Sequence, residues 1–265
     1  MYDNICKFIA ENYKDDLATW LLGSPIKLTK LSPTELSNEP IRADSLILLQ
    51  SDKLFLHTEF QTDADKDIPF RMLDYRIRGY RRFPHKEMRQ IVVYLRKTDS
   101  ELVYQNRFTL SDTNHQFEVI RLWEQPTEQF MSLPGLLPFA VLSQTKDPTI
   151  VLNQVAQAVE SITEQQLQRN IAAASSVLAG LVLDKEVIKK IFRSDIMRES
   201  VIYQEILEEG KAEGKAEGKA EGKAENARNV AINLMRIGMS LPQIAQVTEL
   251  SIEQVQALQQ EIQTS

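Results

Sequence analysis

The sequence predicts an α/β domain, followed by an α-helical extension and a small C-terminal helical module. Three observations carry that prediction. Over the first 125 residues, short apolar or alternating runs ("IRADSLILLQ", "DKLFLHTEFQ", "RQIVVYLR", "QFEVIRLWE") accompany two segments of helical spacing. From about Asp147 to Glu209 the pattern turns helical. A tetrapeptide tract, "GKAEGKAEGKAEGKAE" over 210–225, then sets off the remaining residues. The division that follows is 1–146, 147–209, 210–225 and 226–265.

The first segment, "DNICKFIAENYKDDLATWLL" over 3–22, spaces Ile5, Phe8, Ile9, Tyr13, Leu17, Trp20 and Leu21 as one amphipathic helix, with Asp3 as cap and Gly23 as stop. Two strands around a short polar turn come next. The helix "PFRMLDYRIRGYRRF" opens with Pro69 and must stop before Pro84. Two further strands complete the domain. In the extension, Thr163 with Gln166, and Asp184 before "KEVIKKIF", read as helix starts, and "IAAASSVLAGLVL" reads as a buried helix face.

In the tract every Glu-to-Lys separation is two or six, so a helix there gains no i, i+3 or i, i+4 pair, and each glycine weighs against it by about 1 kcal/mol. The expectation is a solvated linker; a helix held by a partner chain is the alternative. Beyond it, Gly238 ends one helix, and Ser240 with Gln243 and Ser251 with Gln254 form capping boxes for two more. The pair joined by "TELS" has a helix-turn-helix pattern, with Glu249 where such turns often carry glycine. Its second helix, "SIEQVQALQQEI", has no Arg or Lys for phosphate or guanine contacts. That favours protein contact or dimerisation over DNA reading.

Composition narrows the function classes. A chain of 265 residues with 43% hydrophobic and 26% charged residues can bury an ordinary core. A single cysteine, Cys6, excludes an internal disulfide framework, and the start "MYDNICKFIA" lacks the pattern of a secretory leader. The longest apolar run, "VLAGLVL", is far short of a membrane span. A cytoplasmic protein without membrane contact is expected. The total charge is −6, yet residues 71–97 hold nine basic side chains against Asp74 and Glu87, a local +7 that leaves −13 elsewhere.

The chemistry-bearing stretch is "LFLHTEFQTD" over 54–63. Alternation puts Phe55, His57, Glu59 and Gln61 on one face of the strand and Leu54, Leu56, Thr58 and Phe60 on the other. A turn centred on Ser51 and Asp52 places Asp44 opposite Glu59; a turn one residue later places it opposite Gln61. Opposed carboxylates repel by about 4 kcal/mol at 4 Å for an effective dielectric near 20, and a shared proton or cation relieves that. A hard, oxygen-ligated cation such as Mg2+ suits these groups. Zinc does not, because Cys6, His57, His85 and His115 are scattered. Nucleophile–His arrangements and glycine-rich phosphate loops have no signature here, and sugar-stacking aromatics are not evident beside the carboxylates. Ser45, His57 and Thr58 read as packing or supporting groups.

With its flanks, Asp44 followed after fourteen residues by "EFQ" resembles the D…(D/E)-x-K signature of the PD-(D/E)XK nuclease superfamily. The wider run "RADSLILLQ…LHTEFQTD…IPFRMLDYRIRGYRRF…RQIVVYL" resembles the bacterial Rpn group of recombination-promoting nucleases, also classed with transposases. The resemblance covers about residues 1–125. It implies a restriction-endonuclease-like αβββαβ core, a mixed sheet flanked by helices, and a Mg2+-dependent DNA endonuclease, with Mn2+ as substitute and a homodimer as assembly. Asp44, Glu59 and the Phe60 carbonyl would hold the metal, and Gln61 would stand where the superfamily has its lysine. Ala43 replaces the proline of the general motif, and Gln61 brings no charge, which leaves slow or lost cleavage open. Arg71 and Tyr75 match a Gln-x-x-x-Tyr pair near the site of related nucleases.

Arg78, Arg81 and Arg82 would supply phosphate contacts, or else form a solvated face. Three classes of function follow: an active nuclease, a catalytically weak relative that binds DNA or regulates, and an interaction protein in which Asp44 and Glu59 merely pair with Arg42 or Arg71.

Overall fold

A computed structural model describes residues 2–30, 46–192, 200, 226–235 and 239–263. The chain forms two compact units, Met1–Gln204 and Glu205–Ser265. Expectations that fall on Arg42, Asp44, Ser45, the 210–225 tract and Gly238 lie outside the described residues.

The first unit is an α/β structure built on a five-stranded mixed sheet. Its strands are β1 (Thr29–Lys30), β2 (Leu46–Gln50), β3 (Leu54–Gln61), β4 (Glu87–Tyr94) and β7 (Glu118–Arg121), in the order β1-β2-β3-β4-β7. The first three pair antiparallel, whereas β4 is parallel to both β3 and β7. A parallel neighbour needs a crossover, and α3 (Ile68–Arg82), held between Pro69 and Pro84, supplies the one from β3 to β4.

Both faces of the sheet are covered, which explains why β3 is buried from Leu54 to Phe60. On one face, α3 packs Tyr75 with Phe55 and Leu48, and Ile68 and Met72 with Val92 and Tyr94. On the other, the Phe60 ring stacks on Phe139 of α5 (Leu137–Ala140), with centroids 5.6 Å apart and planes within 7°. Phe139, and Phe130 of α4 (Glu128–Met131), also meet Trp20, so the helices beyond the sheet share its core. The extension continues as α6 (Pro148–Glu160), α7 (Gln165–Ala179) and α8 (Lys185–Ile191).

Three local features depart from the sequence reading, and one settles an alternative it left open. Residues 3–22 form two helices, α1 (Tyr2–Asn12) and α2 (Lys14–Leu22), and α1 begins before Asp3, the expected cap. At Tyr13 the backbone departs to φ −120° and ψ 49°. The cause is tertiary: Gly135 lies so close that a Cβ on it would stand 2.3 Å from the Tyr13 Cβ, and its N–H donates to Asp16 Oδ2 at 2.7 Å. Gly23 does end α2, at φ 75°.

The second correction is a hairpin the sequence does not announce, β5 (Arg107–Leu110) with β6 (Thr113–Gln116). The third feature, the strand turn, decides between the two registers left open by the sequence. Leu46 pairs with Glu59, the register of the later turn, because Ser51 N–H donates to Leu54 O at 2.9 Å and Leu54 N–H donates to Ser51 Oγ at 3.1 Å. The fourth is the start of α7, where Glu164 rather than Thr163 is the boundary residue.

The second unit contains helices over 226–235, Leu241–Thr248 and Ile252–Gln263. Ala231, Ile244 and Val255 form its core. Both capping boxes are present: Gln243 Oε1 accepts from Ser240 N–H, and Gln254 Oε1 accepts from Ser251 N–H at 2.8 Å. Glu249 occupies the left-handed region at φ 60°, where glycine is usually preferred.

Candidate functional site

Glu59 sits on β3, the middle strand of the sheet, with its side chain 0% exposed. Alternation along β3 brings His57 and Gln61 to the same face, and α3 lays Arg71 over them. Glu59 Oε2 accepts from Arg71 Nη1 and from Gln61 Nε2, each at 3.3 Å. These contacts answer how a carboxylate survives burial: a cation and an amide hold one oxygen. The other oxygen, Oε1, has no hydrogen-bond partner among the described residues and faces His57 Nε2 at 3.5 Å.

Arg71 extends the site outward. Its Nη2 contacts Asp65 in the turn that leads into α3, so one guanidinium links a buried carboxylate to a partly exposed one. Tyr75, one helical turn on, sets its ring edge against the His57 imidazole at 4.8 Å. Burial, reinforced by the Glu59 charge, raises the Tyr75 phenol well above its ordinary range. On β4, the Tyr94 hydroxyl is buried without a partner among the described residues, and its phenol is pushed up to about 12, first by burial and then by Asp65 and Glu59.

Gln90 pairs with His57 across the parallel β3–β4 ladder. Its Nε2 donates to Met72 O at 2.7 Å and meets His57 Nδ1 at 2.9 Å. An amide nitrogen that donates to a carbonyl is a donor to the imidazole as well, so Nδ1 accepts and the ring proton sits on Nε2. That nitrogen lies 3.5 Å from Glu59 Oε1 and, like it, has no hydrogen-bond partner among the described residues.

Of the residues singled out in the sequence, Glu59, Gln61, Arg71 and Tyr75 come together on one face between β3 and α3. Phe60 turns its ring to the opposite face. Arg78 pairs with Asp74 at 2.9 Å, while Arg81 and Arg82 are exposed near the far end of α3. Elsewhere in the basic run, Arg89 pairs with Glu118 and Arg96 with Asp63, and Lys86 donates to Gln50 at 2.7 Å. Part of the local positive charge is therefore neutralised. Three participants go beyond the sequence reading: His57, which reads there as packing, together with Gln90 and Asp65. A polar residue inside the apolar strand "RQIVVYL" is the available signal for Gln90.

As a donor set the site offers hard oxygen. Among the described residues there is no group of three or more His, Cys, Asp or Glu side chains placed to hold a metal ion. The unpartnered Oε1 of Glu59 nevertheless fits a hard divalent cation, with Asp44 as the further carboxylate the sequence offers. No helix among the described residues is long and apolar enough to cross a membrane. No protein-family model matches the chain, and neither the curated proteins nor the solved structures provide a match.

Proposed function

We propose that this chain is a Mg2+-dependent endodeoxyribonuclease that hydrolyses DNA phosphodiester bonds in recombination or mobile-element processes. The observation that carries the reading is Glu59: a fully buried carboxylate on the central strand, held through one oxygen and unpartnered at the other among the described residues. With the charge already paired to Arg71, the unpartnered oxygen is an open acceptor of the kind a hard cation fills. The chain order supports the same reading, because a helical segment, three antiparallel strands, a helix and a parallel strand follow one another as in the restriction-endonuclease-like core.

In this reading Asp44, Glu59 and the Phe60 carbonyl would hold Mg2+, or Mn2+ in its place, which would supply water activation and charge neutralisation at the phosphate. Arg71 and Gln61 fix Glu59 Oε2 and leave Oε1 as the donor oxygen. The Gln61 amide, partly exposed at the end of β3, can orient a water by hydrogen bonding but cannot supply a charge. Arg81 and Arg82 give phosphate contacts that add affinity without sequence choice.

A second reading has its own observation. The Arg71–Glu59 contact is what a structural ion pair would produce, in a catalytically inactive relative that uses the fold to bind DNA or protein. Incubating supercoiled plasmid with the protein, in Mg2+ and in EDTA, separates the two. Nicking that requires Mg2+ supports the nuclease; salt-sensitive DNA binding with no nicking at the same protein concentration supports the second.

A further inference from the structure

Metal binding by Glu59 leaves His57 without a task, although its surroundings hold it closely. It is 0% exposed, backed by the Tyr75 ring, and fixed at Nδ1 by Gln90, which is itself anchored to the Met72 carbonyl. Its remaining nitrogen, Nε2, lies 3.5 Å from Glu59 Oε1, and neither of these two buried atoms makes a hydrogen bond among the described residues.

The carboxylate needs such a constraint. Arg71 and Gln61 both bind Oε2 through long contacts of 3.3 Å, and rotation about the terminal bond of a glutamate is soft, so the two contacts hold the carboxylate plane only weakly. A donor that closes on the Oε1 side would restrict that rotation. Histidine in one tautomer is suited to it, because accepting at Nδ1 obliges Nε2 to donate. Met72 O, Gln90 and His57 thus form a chain that carries a backbone position of α3 through β4 to an imidazole 3.5 Å from the carboxylate on β3.

We propose that His57 is a positioning residue, locked by Gln90 into the Nε2–H tautomer, that orients Glu59 Oε1 for the divalent cation. The inference rests on the metal-site reading of Glu59 given above. Groups that orient metal ligands commonly contribute 10- to 100-fold in metal affinity or activity.

The substitution series uses reach. His57→Gln keeps a donor at the distance of Nε2, His57→Asn is polar but too short, and His57→Leu removes the donor. Each variant is assayed for plasmid nicking across a Mg2+ titration and for the rise in unfolding temperature that Mg2+ produces. The expected result is a Mg2+ requirement raised about tenfold or more in the Asn and Leu variants, a smaller Mg2+-induced thermal shift in both, and substantial recovery of each in the Gln variant. Nitrogen-15 NMR of the wild-type imidazole should give the Nε2–H tautomer.

An Nδ1–H tautomer, or a Leu variant that matches wild type in both Mg2+ readouts, overturns the positioning role. If wild type shows neither nicking nor a Mg2+-induced thermal shift, the metal-site reading itself falls. A fall in Mg2+-free unfolding temperature that is equal in all three variants, with unchanged Mg2+ requirement, marks His57 as packing alone and overturns the proposal.

Discussion

Arg71 Nη1 donates to Glu59 Oε2 at 3.3 Å, and the same guanidinium reaches Asp65 with Nη2. A buried charge on the sheet is thereby tied to the turn that starts the crossover helix. Removing the cation would leave Glu59 buried with only an amide on Oε2. Arg71→Ala is expected to destabilise the first unit by about 3 kcal/mol, the scale seen when one partner of a buried pair is deleted. Arg71→Lys should recover little, because one ammonium cannot reproduce a fork that serves two carboxylates. Urea unfolding of Arg71→Ala, Glu59→Gln and the double variant checks this; additive effects would show that the pair is not coupled.

The close approach of Gly135 to Tyr13 makes a second prediction. Gly135→Ala would place a methyl 2.3 Å from the Tyr13 Cβ and 2.7 Å from Asp16 Oδ2, so the α1–α2 kink or the 134–136 turn must move. The expected loss is about 2–3 kcal/mol, and the equilibrium unfolding midpoint reads it. A variant as stable as wild type would mean that the kink is not held by this contact.

Alkaline pH gives a third. The Tyr13 and Tyr94 phenols are both raised to about 12 from an ordinary 10, chiefly by burial, and Tyr75 is raised as well. The unfolded chain therefore loses these protons first. Stability from these groups is intact below pH 10 and is lost as pH climbs from 10 toward 12 and beyond. Tyrosinate absorbance should rise in two stages, the later one coincident with loss of circular dichroism. A single stage near pH 10 with native dichroism throughout contradicts this.

Salt dependence of DNA affinity separates the arginines of α3. Arg81 and Arg82 are exposed and make no ion pair with described residues, whereas Arg78 is engaged by Asp74. Alanine at Arg81 or Arg82 should lower the slope of log affinity against log salt by about one each, with a smaller change for Arg78. Unchanged slopes at Arg81 and Arg82 would make this face of α3 a merely solvated one.

The features legible in the sequence are those governed by local chemistry. Pro69 and Pro84 bracket α3 because proline is admitted at a helix start and excluded from its interior, and the two capping boxes near the C-terminus are fixed within four residues. Strand alternation alone puts His57, Glu59 and Gln61 on one face of β3. The features that escape such reading depend on distant partners. The helical spacing of residues 3–22 is continuous, and only Gly135, more than one hundred residues away, shows why the helix kinks. The β5–β6 hairpin turns on Ser111 and Asp112, with Ser111 at φ 45°, in place of an Asn-Gly signal. The role of His57 becomes visible only with Gln90, 33 residues away across the ladder.

The central claim, that Glu59 is kept for chemistry and not for packing, is tested most directly by Glu59→Gln. The amide preserves shape and a hydrogen-bonding oxygen for Arg71 while removing the charge that would bind a cation. Plasmid nicking by Glu59→Gln and Asp44→Ala is compared with wild type in Mg2+, at protein concentrations matched for folded material by circular dichroism. The expected result is Mg2+-dependent nicking by wild type and a loss of at least about 100-fold in both variants, each still folded. Nicking by Glu59→Gln at the wild-type rate, or no nicking by wild type where it binds DNA, would contradict the claim.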